Sequence, residues 1–300
     1  MLQAFAPETI CKRSRDVIRE EAVHRVIVEM RSRLSEPLNL KGMAEIAYFS
    51  PFHFNRVFKE LTGVPPIQFL YALRLQRAKE LLQATDLSVT NICLEVGYNS
   101  LGSFTNRFTE LVGLSPNAYR RFSREFCALD IGRIRSLFSS QPDGGKASVG
   151  LEGTLRIAGR GNGMIFVALF SRSIPERWPV SYRLMSGAGR FRFAHARPGR
   201  YRVLALGLPV TSNPVDMLTL TNACRARSER CRIEPGRVTR MNELRLAPTK
   251  SLDPPILSAV PLLTISGLLG RDAPAGSAAW RRPGTRRSQP ARTRRDSAPG

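Results

Sequence analysis

Four residues at helical spacing, Phe52, Asn55, Arg56 and Lys59, carry the side chains best suited to chemistry with a polyanion. An Asn amide matches the paired donor and acceptor of an adenine edge. An Arg fork matches the two acceptors of guanine, and a Phe ring packs on a thymine methyl. Fifty positions later a second set follows: Gly102, Ser103, Thr105, Asn106 and Arg107. Small residues at 102, 103 and 105 permit close approach to a groove but supply few strong contacts, so the first set is expected to discriminate more between bases. A solvated side chain or a phosphate contact is the plainer reading of any single Arg or Asn. Base contact is favoured for Arg56 and phosphate contact for Arg107.

The elements that must position these residues are written twice. A shift of fifty carries Ser50 onto Ser100, Phe54 onto Phe104, Phe58 onto Phe108, Gly63 onto Gly113, Pro66 onto Pro116 and Phe69 onto Tyr119. Each copy reads as a short apolar helix, a turn ending in a Ser N-cap, a second helix with Phe at i and i+4, then Gly at C′. Such a unit is a helix-turn-helix, and its duplication points to DNA reading. With Phe54, Phe58 and Leu61 inward in one copy and Phe104, Phe108 and Leu111 in the other, the sets above face outward. A helix from Pro66 to about Gln83 joins the copies and is long enough to hold them at a fixed separation.

Around this core the chain divides further. Residues 1–16 read as a flexible lead-in and 17–126 as the all-α domain, with about seven helices and a first helix starting near Asp16. Residues 127–150 read as a linker. After it the period becomes two, in Leu151–Ile157, Met164–Phe170, Phe191–Phe193 and Tyr201–Ala205, with Gly and Pro at the turns. Short alternating runs of this kind predict an antiparallel β-sandwich over 151–250. The segment 251–270 is apolar and suits docking on that domain or on a second subunit. Residues 271–300, rich in Arg and Pro, are expected to be disordered.

The stretch Leu40–Arg121 resembles the DNA-binding domain of the AraC/XylS transcription regulators. Ser50-Pro51-Phe52-His53-Phe54, Arg56, Phe58-Lys59, Thr62-Gly63, Ile92-Cys93, Val96-Gly97-Tyr98, Ser100 to Phe104, Arg107-Phe108 and Ser115 to Arg121 carry the likeness. It implies two recognition helices in successive major-groove segments of double-stranded DNA, and RNA polymerase as a partner, activation being favoured over repression. Tyr48-Phe49 departs from the small residues usual in the first turn and is expected to alter that turn. The run Gly189 to Ala205 resembles the strand, Pro-Gly turn, strand signature of carboxypeptidase regulatory-like or transthyretin-like sandwiches. That resemblance implies a module without catalytic residues, for sensing a small-molecule effector or for homodimerisation.

Composition sets bounds on these readings. The net charge of +22 attracts polyanions. Yet residues 1–126 hold 17 basic and 13 acidic side chains, against 21 and 9 in residues 127–270. An architectural, nucleoid-associated protein using the basic C-terminal half is therefore the rival function. The five cysteines form neither a disulfide framework nor a metal pair, and His24 and His195 have no partner at metal spacing, so no metal and no cofactor are expected. Cys93 reads as a small core residue. Cys224 and Cys231 come within disulfide reach if Arg227-Ser228 forms a tight hairpin. No signal peptide or membrane span is read, no nucleophile, base or carboxylate pair is clustered, and the expectation is a cytoplasmic non-enzyme.

Overall fold

The computed structural model describes residues 7–139, 150–158, 164–171, 179–194, 196–208, 214–220 and 223–269. The expected basic tail and residues 140–149 of the expected 127–150 linker lie outside them. The helical part runs α1 (Pro7–Ser32), α2 (Leu40–Ile46), α3 (Pro51–Thr62), α4 (Pro66–Ala84), α5 (Val89–Glu95), α6 (Leu101–Val112), α7 (Pro116–Cys127) and α8 (Ile131–Ser139). α1 begins inside the stretch read as a flexible lead-in, and α8 inside the one read as a linker. α8 is held by its own apolar side, since Ile134 and Phe138 are buried.

The duplication reappears in the packing. In the first copy Phe54 meets Phe58 and Phe58 meets Phe69, both with ring centroids 5.4 Å apart. In the second, Phe104 meets Phe108 at 5.7 Å and Phe108 meets Tyr119 at 5.8 Å. One difference has a use. The Tyr119 hydroxyl accepts a 2.7 Å hydrogen bond from Gln83 Nε2, which ties α7 to the end of α4. Leu61 and Leu111, read as inward, are only half-buried, and Thr62 and Val112 take the buried last position. Four residues beyond Phe58 and Phe108, they lie on the same helical face, as a period of 3.6 demands.

The two copies are joined by more than the length of α4. Arg74, in the middle of that helix, is 6% exposed. Its Nε donates to the Leu34 carbonyl, its Nη2 to that of Glu36 and its Nη1 to that of Gly97, each at 2.8 Å. One guanidinium thus fastens the loop before α2 to the turn between α5 and α6. Burial pushes its pKa down from the ordinary arginine value.

The C-terminal region departs from a sandwich. Its strands are β1 (Gly150–Ile157), β2 (Met164–Phe170), β3 (Ser181–Met185), β4 (Gly189–Ala194), β5 (Gly199–Leu208), β6 (Cys224–Arg227), β7 (Cys231–Ile233), β8 (Val238–Arg240) and β9 (Leu244–Pro248). They follow one hydrogen-bonded path in the order β3-β2-β5-β6-β9-β1-β4, with β7 added to β5 and β8 to β1. β1 pairs parallel to β8 and β9, so the sheet is mixed rather than antiparallel. Alternation tells which face a residue occupies, not the direction of its neighbour, and could not have shown this. The strands at the two ends of the path, β3 and β4, are consecutive in sequence, and Arg183 Nε donates to the Arg192 carbonyl at 3.0 Å. The sheet therefore curls back on itself. β4 and β5 flank Pro198 but do not pair with each other, so the strand, Pro-Gly, strand signature is not a hairpin.

β2 explains what lies outside the curl. Ile165, Val167 and Leu169 face the core inside the sheet with Phe193, Val203 and Leu246. Met164, Phe166, Ala168 and Phe170 face the other way, into a core shared with Phe122, Phe126, Phe138, Leu262 and Ile265. A strand buried on both faces is an unbroken apolar run, and MIFVALF is one. The core of the second helical copy thus continues into the C-terminal region, closed by α9 (Pro214–Thr219) and α10 (Val260–Leu268). α10 buries Val260, Leu262, Leu263 and Ile265.

Four arginines of the curl's outer side are ion-paired. Glu152 binds Arg192 and Arg240, and Glu243 binds Arg156 and Arg245. Both carboxylates sit below their ordinary pKa, through hydrogen bonds from those guanidinium groups. Cys224 pairs with Gly207 on β5 and Cys231 with Tyr201, six residues away. Six strand residues span about 20 Å, so the two thiols are beyond disulfide reach, contrary to the hairpin reading.

Candidate nucleic-acid interface

Each outward helix starts and stops by the same devices. The Ser50 Oγ accepts from the His53 amide at 3.4 Å, and the Ser100 Oγ from the Ser103 amide at 3.3 Å. Gly63 (φ 81°) and Gly113 (φ 96°) end the helices in the left-handed region, their amides donating to Lys59 and Thr109. Ser50→Ala and Ser100→Ala will each cost about 1 kcal/mol, seen as a lower denaturant midpoint, because each strands a helix N–H.

The turns that aim the helices differ. α2 and α5 have N-caps Asn39 and Ser88, 49 positions apart, whereas α3 and α6 begin 50 apart. The second turn is therefore one residue longer. Its left-handed position is Gly97 (φ 81°), while the first turn places Tyr48 there (φ 57°). The Tyr48 side chain stands 84% exposed, with the Arg25 guanidinium 5.3 Å over its ring.

On α3 the outward face carries Phe52, 84% exposed, with Arg56 and Lys59 exposed and Asn55 half-buried. Arg56 Nη2 lies 3.3 Å from His53 Nδ1, and the His53 ring packs edge-on to Phe49 at 4.9 Å. His53 thus braces Arg56 on the helix surface. On α6 the matching face shows Gly102, Ser103 and Asn106 exposed, with Thr105 and Arg107 half-buried. Arg107 lies 3.8 Å from Glu110, an ion pair that offsets part of its charge. All nine residues singled out by spacing sit on these two faces. Two more stand beside them, exposed Tyr48 and Leu101, the latter 43% exposed at the start of α6. An apolar residue next to a Ser-Pro or Ser N-cap gave no sign of pointing outward.

The back ends of both helices rest on the C-terminal region. The Arg227 guanidinium lies against Gly63, at the negative end of α3. At the equivalent end of α6, the Ala259 amide donates to the Val112 carbonyl at 2.9 Å. Among the described residues, no group of three His, Cys, Asp or Glu is placed to hold a metal ion, and no helix is long and apolar enough to cross a membrane.

Residues 43–121 match the family model described as a helix-turn-helix domain. The MmsAB operon regulatory protein of Pseudomonas aeruginosa is 38% identical over 96 residues, 32% of this chain and 31% of that protein. This chain therefore spans about a third of that relative's length. The HTH-type transcriptional activator AarP of Providencia stuartii is 31% identical over 98 residues, 33% of this chain and 73% of that protein. Among solved structures, the DNA-binding domain of AdpA in complex with a target DNA is 32% identical and covers 34% of this chain and 93% of that one. The TM-score is 0.34, too low to support a comparison of geometry.

Proposed function

Since the chain belongs to the AraC/XylS family of transcription regulators, we propose that α2–α3 and α5–α6 act as two helix-turn-helix units on one promoter site. Their outward helices enter successive major-groove segments, one turn of duplex apart. The observation that carries this reading is the pair of matched faces, identically capped and aimed from one rigid linker helix. Phe52, Asn55, Arg56 and Lys59 select bases. Gly102, Ser103, Thr105, Asn106 and Arg107 let the second helix approach closely, with Arg107 on phosphate. Activation, with RNA polymerase as the partner, is favoured because AarP is named an activator. The C-terminal region serves as the regulatory module, for a small-molecule effector or a homodimer, in a cytoplasmic protein without catalytic activity.

The architectural alternative is weakened by the ion pairs around Glu152 and Glu243, which engage four of the arginines that would attract DNA without regard to sequence. Arg56→Ala will weaken binding to the cognate site by about 1–3 kcal/mol and relax preference at one base position. Binding-site selection with both proteins checks this. An unchanged preference removes Arg56 from the base-reading set.

A further inference from the structure

A cleft of about 470 Å³ separates the linker helix from the C-terminal region. One wall is α4, through Gln76, Lys79, Glu80 and Gln83, and the other is the strap from Pro248 to Ile256 with Leu218 and Leu220. That volume suits a small organic molecule. Three cations line it, Arg31, Lys79 and Lys250, and among the described residues none is paired with a carboxylate. The two acids present are already engaged. Glu80 takes hydrogen bonds from Gln76 (3.3 Å) and Arg77 (3.2 Å). Asp253 is paired with Arg225 and accepts from the Lys250 amide.

Lys79 is the unusual member, because it is only 6% exposed. Its ammonium makes two long contacts to main-chain carbonyls, Ile256 at 3.4 Å and Leu257 at 3.3 Å, and lies over the Tyr119 ring at 5.6 Å, while Glu80 acts on it through space without an ion-pair contact. A buried charge with no counter-charge in contact is costly, and a ligand that brings an anion onto it relieves that cost. Pro254, Pro255, Ile256 and Leu220 give the rest of the cleft an apolar wall.

We propose that this cleft binds a small organic carboxylate, with the carboxylate on Lys79 and its apolar body against Leu220 and the Pro254–Ile256 strap. The site deepens the regulatory role given above to the C-terminal region and rests on that reading only for its consequence. That consequence follows from the strap's path. It runs from the cleft through the carbonyls on Lys79 to Ala259, whose amide holds the end of α6. A ligand that draws α4 and the strap together also fixes the second outward helix against the first.

The test uses the full chain, calorimetric titration and three probe pairs: benzoate, phenylacetate and hexanoate, each against its uncharged amide. At least one carboxylate is expected to bind about tenfold more tightly than its amide, the worth of one charge-assisted hydrogen bond. Lys79→Met abolishes that preference. Lys250→Glu, altered only at the exposed mouth, weakens carboxylate binding severalfold with the fold unperturbed. Equal binding of acid and amide, binding of neither, or a preference that survives in Lys79→Met overturns the proposal. Because the readout is ligand binding without DNA, its failure leaves the promoter-binding reading standing, and failure of promoter binding leaves the cleft standing.

Discussion

Replacing Arg74 with alanine will destabilise the protein by about 4 kcal/mol and uncouple the two helical copies. Each of the three 2.8 Å bonds from its guanidinium is charge-assisted. Hydrogen bonds of that kind contribute about 1.5–3 kcal/mol apiece, and loss of the donor leaves buried carbonyls unsatisfied. The sum is discounted because the guanidinium itself is costly to bury and water enters the space left behind. Arg74→Lys will not rescue the loss, since one ammonium cannot span three carbonyls arranged for a planar fork. The neighbouring backbone is equally intolerant. A Cβ at Gly97 would come within 2.5 Å of the Leu34 carbonyl oxygen and 3.0 Å of the Arg74 guanidinium, at a φ that L residues avoid. Denaturant titration of Arg74→Ala checks the magnitude, and a loss below about 1 kcal/mol would remove this residue from the joint.

The second large effect is a pH dependence. Burial pushes the Lys79 ammonium down to about 8 from an ordinary value of 10.5. Between those limits the unfolded chain holds a proton that the folded protein has released, so stability rises with pH across that window. Below pH 8 the cost of the buried charge is fully present, and above 10.5 it is gone. A gap of that size amounts to about 3 kcal/mol, an upper figure because the carbonyl contacts are lost with the charge. Cys93, Cys127 and Cys231, with pKa raised by desolvation, and Tyr98 and Tyr119, also raised by burial, Tyr98 to about 12, act in the opposite direction. The measurement is therefore the difference between wild type and Lys79→Met, in which those groups cancel. The variant is expected to be more stable at pH 7, with its advantage shrinking towards pH 10. An advantage that does not change with pH would mean that Lys79 is neutral already or well solvated.

These two residues mark where the sequence stops being legible. The duplicated helices could be read because Ser, Pro, Phe and Gly at a fixed offset act locally, through caps and i, i+4 packing. The outward faces followed by subtraction, since a helix shows whatever its core does not use. In the sequence Arg74 and Lys79 are only polar gaps among the apolar residues of α4. Their partners are main-chain carbonyls of residues 34, 36, 97, 256 and 257, and a carbonyl has no identity that a sequence can display. The one-residue-longer second turn was hidden for a related reason. A shift of fifty aligns Tyr48 with Tyr98, although the backbone equivalent of Tyr48 is Gly97. In the C-terminal region the strands were legible and their order was not, because period two is blind to neighbours. The run from Met164 to Phe170, apolar at every position, did carry the missing information: a strand with no polar face has to be covered on both sides.

The central claim is that α3 and α6 engage one face of a duplex together. Hydroxyl-radical footprinting on a site obtained by selection tests it most directly. The expected result is two protected segments on the same face, about 10 base pairs apart, with Arg56→Ala weakening the segment contacted by α3. A single protected segment, or uniform protection indifferent to sequence and to Arg56, would contradict it.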